Sequence, residues 1–98
     1  AITSNERGRR VANLLRQHTD LRGKRFLDVG CAYGGFLVAF AEQGAEVVGL
    51  DVDNSLLELA RHNLRDHQLV APLRLLDATN AEQLSPLHGR FDIVTCND

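Results

Sequence analysis

The sequence is short of cysteine, of aromatic side chains and of any long apolar run, and each shortage removes a class of protein. Two cysteines, Cys31 and Cys96, are too few to staple a secreted scaffold, and their spacing carries no metal-site pattern. Small buried thiols in a reducing compartment are the expectation instead. No stretch approaches the roughly 18–20 apolar residues of a membrane span. Residues 1–13 carry Arg7, Arg9 and Arg10 but no apolar segment of the signal-peptide kind, so a soluble, cytoplasmic protein with no membrane partner is expected. The four histidines, His18, His62, His67 and His88, share no helix face at ligand spacing; they are expected to face solvent, and no metal is expected. Linkers, low-complexity segments and sequence repeats are missing too.

What is present suits one small globular domain: 98 residues, 44% apolar and 24% charged. The net charge of −2 conceals an asymmetry. Residues 1–25 hold seven Arg or Lys against Glu6 and Asp20, whereas residues 26–98 hold four against eleven acids. A basic leading helix beside an acidic body suits an anionic partner such as a nucleic acid. With no interleaved aromatics, the simpler expectation is a solvated helix whose arginine stems lie on the acidic body.

Apolar periodicity places the elements. From Ser4 to about His18, Val11, Ala12, Leu14 and Leu15 form one helical stripe, closed by Asp20 and Gly23. Arg25 to Val29 is a short buried strand stopped by Gly30. A helix apolar on almost every side follows from about Gly34 to Gln43 and ends at Gly44. Ala45 to Leu50 is a second strand running into Asp51, after which Asn54 or Ser55 caps a helix from Leu56 to about His67 with Leu56, Leu57, Leu59, Ala60 and Leu64 inward. Pro72 to Leu76 is a third strand ending at Asp77, Ala81 to Leu84 a helical turn, and Phe91 to Cys96 a fourth strand ending at Asn97 and Asp98. Strands alternating with helices over short connections imply a parallel sheet with right-handed crossovers.

In an open parallel sheet the ligand lies beyond the carboxyl ends of the strands. The residues that matter are therefore Asp28 to Gly35, Asp51 to Asp53, Asp77 to Thr79, and Asn97 with Asp98. Gly30, Ala32 and Gly35 also give a G-x-A-x-x-G match to the dinucleotide fingerprint, with Asp51 about 20 residues on where a ribose-binding acid belongs. A nicotinamide-binding oxidoreductase domain therefore stays open at this point. Asp28 bears on this by charge: a carboxylate inside the turn opposes a pyrophosphate and favours a cationic ligand, one bearing sulfonium and ammonium groups. The simpler role for Asp28 is to accept from the turn's own amides. Tyr33 either leans over the ligand or is an ordinary turn aromatic, and Cys31 and Cys96 belong near one another as fillers rather than as catalytic thiols.

The run Phe26-Leu27-Asp28-Val29-Gly30-Cys31-Ala32-Tyr33-Gly34 resembles motif I of class I S-adenosylmethionine-dependent methyltransferases, with Ala32 in place of the usual middle glycine. The resemblance covers roughly Arg25 to Asp98. It implies an α/β fold, an open three-layer Rossmann-like parallel sheet, here partial with about four strands in the order 3-2-1-4 and helices on both faces. Residues 1–22 are then an N-terminal amphipathic helix and residues 23–98 a partial cofactor-binding domain. The cofactor implied is S-adenosyl-L-methionine. It would be held by Asp28, Gly30, Cys31, Ala32 and Gly34 of the turn; by Asp51 on the ribose hydroxyls and Val52 on the adenine face; by Asp77 and Ala78 near the adenine amino group; and by Asn97 beside the methionine part. Amino-group methyltransferases of the family follow that Asn or Asp with two prolines and an aromatic; Asp98 departs from this and points toward a small-molecule acceptor, nucleic acid and protein acceptors staying open.

No side chain here is assigned as a general base. The second half of the family sheet is not in the sequence, so the chain is expected to be part of a longer protein, to transfer no methyl group alone, and to leave Phe91 to Cys96 as an apolar edge. A non-catalytic interaction module working through the Arg-rich helix is the remaining alternative, and the oligomeric state is left open.

Overall fold

A computed structural model describes residues 4–76 and 89–96. Asp77, Ala78, Asn97, Asp98, His88 and the expected helical turn over 81–84 lie outside the described residues. The elements are helix α1 (Ser4–Arg16), strand β1 (Arg25–Val29), helix α2 (Gly35–Glu42), strand β2 (Glu46–Asp51), helix α3 (Asn54–Asp66), strand β3 (Leu73–Leu75) and strand β4 (Ile93–Cys96). All strand pairs are parallel, in the order β3-β2-β1-β4.

Register carries the layering. Phe26 lies opposite both Val47 and Ile93, and Asp28 opposite both Gly49 and Thr95. Strand alternation puts these on one face and Leu27, Val29, Val48, Leu50 and Val94 on the other. Phe26 stacks on Phe40 of α2, ring centroids 3.9 Å apart and 3° from parallel, so the first face is the one α2 covers. Two right-handed crossovers running the same way along the sheet put α3 beside α2 on that face. Most of the segment joining β3 to β4, residues 77–88, lies outside the described residues.

α2 is buried from Gly35 through Phe40, which explains why it lacks a polar side. α1 covers its outer surface. A methyl placed on Gly8 would sit 2.7 Å from the Gly35 carbonyl oxygen and 3.0 Å from the Phe36 Cα, so the two helices touch through backbone. The basic residues of α1 lean on α2 as well: Arg9 forks onto Glu42 at 2.8 and 3.0 Å, and Arg7 lies 5.6 Å from the centre of the Phe36 ring. This fulfils the expectation of arginine stems folded onto neighbours.

Several expected details shift. Leu14 is 61% and Leu59 47% exposed, so the buried stripes narrow to Ala12 with Val11 and Leu15 on α1, and to Leu57, Ala60 and Leu64 on α3. The cap of α3 is Asp53 rather than Asn54 or Ser55: its backbone is extended and its carboxylate accepts from the Ser55 and Leu56 amides. β3 and β4 are shorter than the apolar runs, leaving Pro72, Leu76, Phe91 and Asp92 outside the strands. Cys96 is exposed rather than buried.

Candidate functional site

The site forms where β1 and β2 end. Beyond Val29 the chain takes positive φ at Gly30 (76°), Ala32 (49°) and Gly34 (78°), coiling the turn tightly before α2 starts. The Gly30 and Cys31 amides both donate to the Leu50 carbonyl, at 2.8 and 2.9 Å, which draws the turn onto the end of β2. Gly34 fits closely against α3: a methyl on it would meet the Ala60 Cβ at 3.1 Å. Gly49, beneath the turn, leaves room for Leu37, Leu73 and the Cys31 Sγ, all of which would lie within 3.0 Å of a side-chain carbon there.

Two carboxylates flank this turn, both buried: Asp28 is 1% and Asp51 5% exposed. Asp28 Oδ1 accepts from the Thr95 hydroxyl of β4 at 2.7 Å. Asp51 Oδ2 accepts from the Ala32 amide at 2.8 Å, and its Oδ1 from the Asp53 amide at 3.0 Å. Asp51 thus holds the glycine turn through the Ala32 amide. Beside it, Val52 is 56% and Tyr33 52% exposed, an apolar side chain and a ring at the rim. Burial first, and then Asp28 and Asp51, push the Cys31 thiol up to about 12. A protonated, buried thiol is a filler and not a nucleophile.

Residues 26–98 match the family model described as a methyltransferase domain. The chain belongs to the class I S-adenosylmethionine-dependent methyltransferase family. Among the curated methyltransferases it resembles are the ubiquinone biosynthesis O-methyltransferases of Azoarcus sp. (strain BH72), 40% identical over 80 residues, and of Methylococcus capsulatus, 35% identical over 82 residues. These stretches take in 81% and 84% of this chain but 33% and 34% of those proteins, so the chain spans about a third of the length of the curated relatives it matches. Among solved methyltransferases, the S-adenosylmethionine-bound amino pentose methyltransferase CalS10 of Micromonospora echinaspora is 32% identical with a TM-score of 0.69, over 98% of this chain and 37% of that one. The magnesium protoporphyrin IX methyltransferase of Synechocystis PCC 6803, 23% identical with a TM-score of 0.74 over 94% of this chain and 43% of that one, shares the fold. Family membership speaks against the nicotinamide-binding alternative.

Of the methyltransferase residues expected from sequence, Asp28, Gly30, Cys31, Ala32, Gly34, Asp51 and Val52 come together around this one turn. Asp77, Ala78 and Asn97 lie outside the described residues. Three partners of the site went unforeseen. Thr95 carried a signal, a polar residue on the same strand face as Asp28; the Ala32–Asp51 bond joins residues 19 apart; and Asn63, whose amide donates to the Tyr33 carbonyl at 2.9 Å, looks in sequence like any exposed helix residue. His18, His62 and His67 are exposed, and among the described residues no group of three or more His, Cys, Asp or Glu is placed to hold a metal.

Proposed function

We propose that this chain binds S-adenosyl-L-methionine across the β1–α2 turn and Asp51, as the donor-binding part of an enzyme that methylates a small molecule. The observation that carries this is the pair of buried carboxylates, Asp28 and Asp51, at the ends of adjacent strands on either side of a positive-φ turn. The group fits these residues. Two buried negative charges favour a ligand carrying sulfonium and ammonium groups and disfavour a pyrophosphate at the same turn. Asp51 keeps acceptor capacity on both oxygens after its two amide bonds, as recognition of ribose hydroxyls requires. Val52 offers an exposed apolar surface next to it for the adenine face.

The bound cofactor supplies an activated methyl group and its own leaving group. The residues described here bind and orient: Asp28 and Asp51 fix charge and ribose, and the glycine turn lets backbone come close. Such alignment is worth up to about 7–11 kcal/mol in a displacement reaction. The small-molecule acceptor is supported by the similarity to the ubiquinone biosynthesis O-methyltransferases. The free thiols of Cys31 and Cys96 favour a reducing, cytoplasmic setting. Among the described residues, no helix is long and apolar enough to cross a membrane.

Calorimetric titration with S-adenosylmethionine, S-adenosylhomocysteine and NAD tests the reading. Binding of the first two at micromolar Kd, none of NAD, and loss of binding in Asp51→Ala are expected. Tight NAD binding with Asp28→Asn unchanged would overturn it.

A further inference from the structure

Asn63 stands at the junction of three elements. Its side-chain amide donates one proton to the Tyr33 carbonyl in the turn, 2.9 Å away, and the other to Asn5 Oδ1 of α1, 2.7 Å away. Its Oδ1 accepts from Asn5 Nδ2 at 3.0 Å, which closes a reciprocal amide pair. Both protons of the Asn63 amide are used, and the Tyr33 carbonyl, which can only accept, dictates which way that amide faces. The orientation of Asn63 in turn dictates that of Asn5.

The surroundings are rigid. Ala60, one turn before Asn63 on α3, is packed against Gly34 at the end of the same turn. α1 reaches that place independently through Gly8 on the Gly35 carbonyl and Arg7 on the Phe36 ring. Residues 26–98 carry the family match, yet Asn5 and Gly8 lie outside that range. A segment preceding the matched domain is thus wired by hydrogen bonds to the turn that carries Gly30, Ala32 and Gly34.

We propose that Asn63 and Asn5 are positioning residues of the donor site: the amide pair latches α1 to α3 and fixes the Tyr33 carbonyl, and through it the curvature of the Cys31–Gly34 turn. The inference rests on the proposed binding of S-adenosylmethionine at that turn. Asn63→Asp removes both bonds that the Asn63 amide donates, to the Tyr33 carbonyl and to Asn5 Oδ1. Its carboxylate still accepts from Asn5 Nδ2, but it has nothing to donate and sets negative charge against both the Tyr33 carbonyl and Asn5 Oδ1.

The test is S-adenosylhomocysteine affinity by calorimetry on the full-length protein, at a temperature where circular dichroism shows every variant folded. Binding is expected to weaken about fivefold in Asn63→Asp, which loses the bond to the turn itself, and about twofold in Asn5→Ala, which loses only the amide pair and acts on the turn through Asn63. The double variant is expected to be no weaker than Asn63→Asp alone. Amide hydrogen exchange over Cys31–Gly34 is expected to quicken in both single variants. Asn13→Ala removes an amide contact between α1 and Gln43, the residue that caps the end of α2, at 3.4 Å, and is expected to leave affinity unchanged. Asn63→Asp binding like the wild type, with Asp51→Ala still abolishing binding, overturns the latch and leaves the donor site standing. A wild type that binds no S-adenosylhomocysteine overturns both. Should Asn63→Asp not fold, unchanged affinity and unchanged exchange in Asn5→Ala overturn the latch by themselves.

Discussion

Ala32 occupies the left-handed region at φ 49°, between Gly30 and Gly34 at 76° and 78°. It is kept there because its amide donates to Asp51 at 2.8 Å. For an L-residue that conformation costs about 1–2 kcal/mol. Ala32→Gly removes the cost but adds unfolded-chain freedom worth about 0.5–1 kcal/mol. It also gives up a half-buried methyl, worth about 0.4 kcal/mol. At the middle of these ranges the net is a gain of about 0.4 kcal/mol. Ala32→Val pushes the other way, because a β-branched side chain at positive φ adds roughly 1 kcal/mol of strain. Equilibrium urea unfolding should therefore rank the midpoints Gly above Ala above Val, with m unchanged, across a span of about 1.5 kcal/mol. A valine variant as stable as the wild type would refute the reasoning, since no residue held at that φ by its own amide bond could tolerate the branch.

Gly8→Ala sets helix propensity against contact. Alanine gains about 1 kcal/mol inside a helix, but its methyl would lie 2.7 Å from a backbone oxygen of α2, which cannot rotate away. Overpacking of about 1–3 kcal/mol wins, and a net loss near 1 kcal/mol in the same unfolding assay is expected. Brief iodoacetamide treatment at pH 8 should label exposed Cys96 and spare Cys31, as read by peptide mass. Burial raises the Cys31 thiol from 9.0 to about 12, so the folded state keeps a proton that the unfolded chain releases. That stabilisation is complete below pH 9 and is lost between pH 9 and about 12, with a slope on the order of 1.4 kcal/mol per pH unit. Cys31→Ala should flatten that part of the urea-midpoint profile.

Much of this architecture was legible because glycine and aspartate punctuate it. β1 runs from Arg25 to Val29 as the apolar run and Gly30 foretold, and α2 falls one residue inside each expected end. The cap of α3 was not legible, since Asp53, Asn54 and Ser55 are all good capping residues in a row and the extended backbone at Asp53 decides among them. Leu14 and Leu59 belong to plausible stripes, but a close helix contact at Gly8 and the narrow seat of α3 turn them outward. In the site, strand-end acids and glycines stood out by type and position. The bonds of Asp51 to Ala32 and of Asn63 to Asn5 join residues 19 and 58 apart, and polar residues on loops and helices leave no periodic trace of such pairings.

The two amide bonds of Asp51 bear on kinetics. One carboxylate is shared by the turn after β1 and the segment after β2, so these cannot open separately without stranding a buried charge. In the proposed donor site these two segments are therefore expected to cost a ligand little entropy of loop ordering, so that its arrival at this part is set by diffusion and orientation.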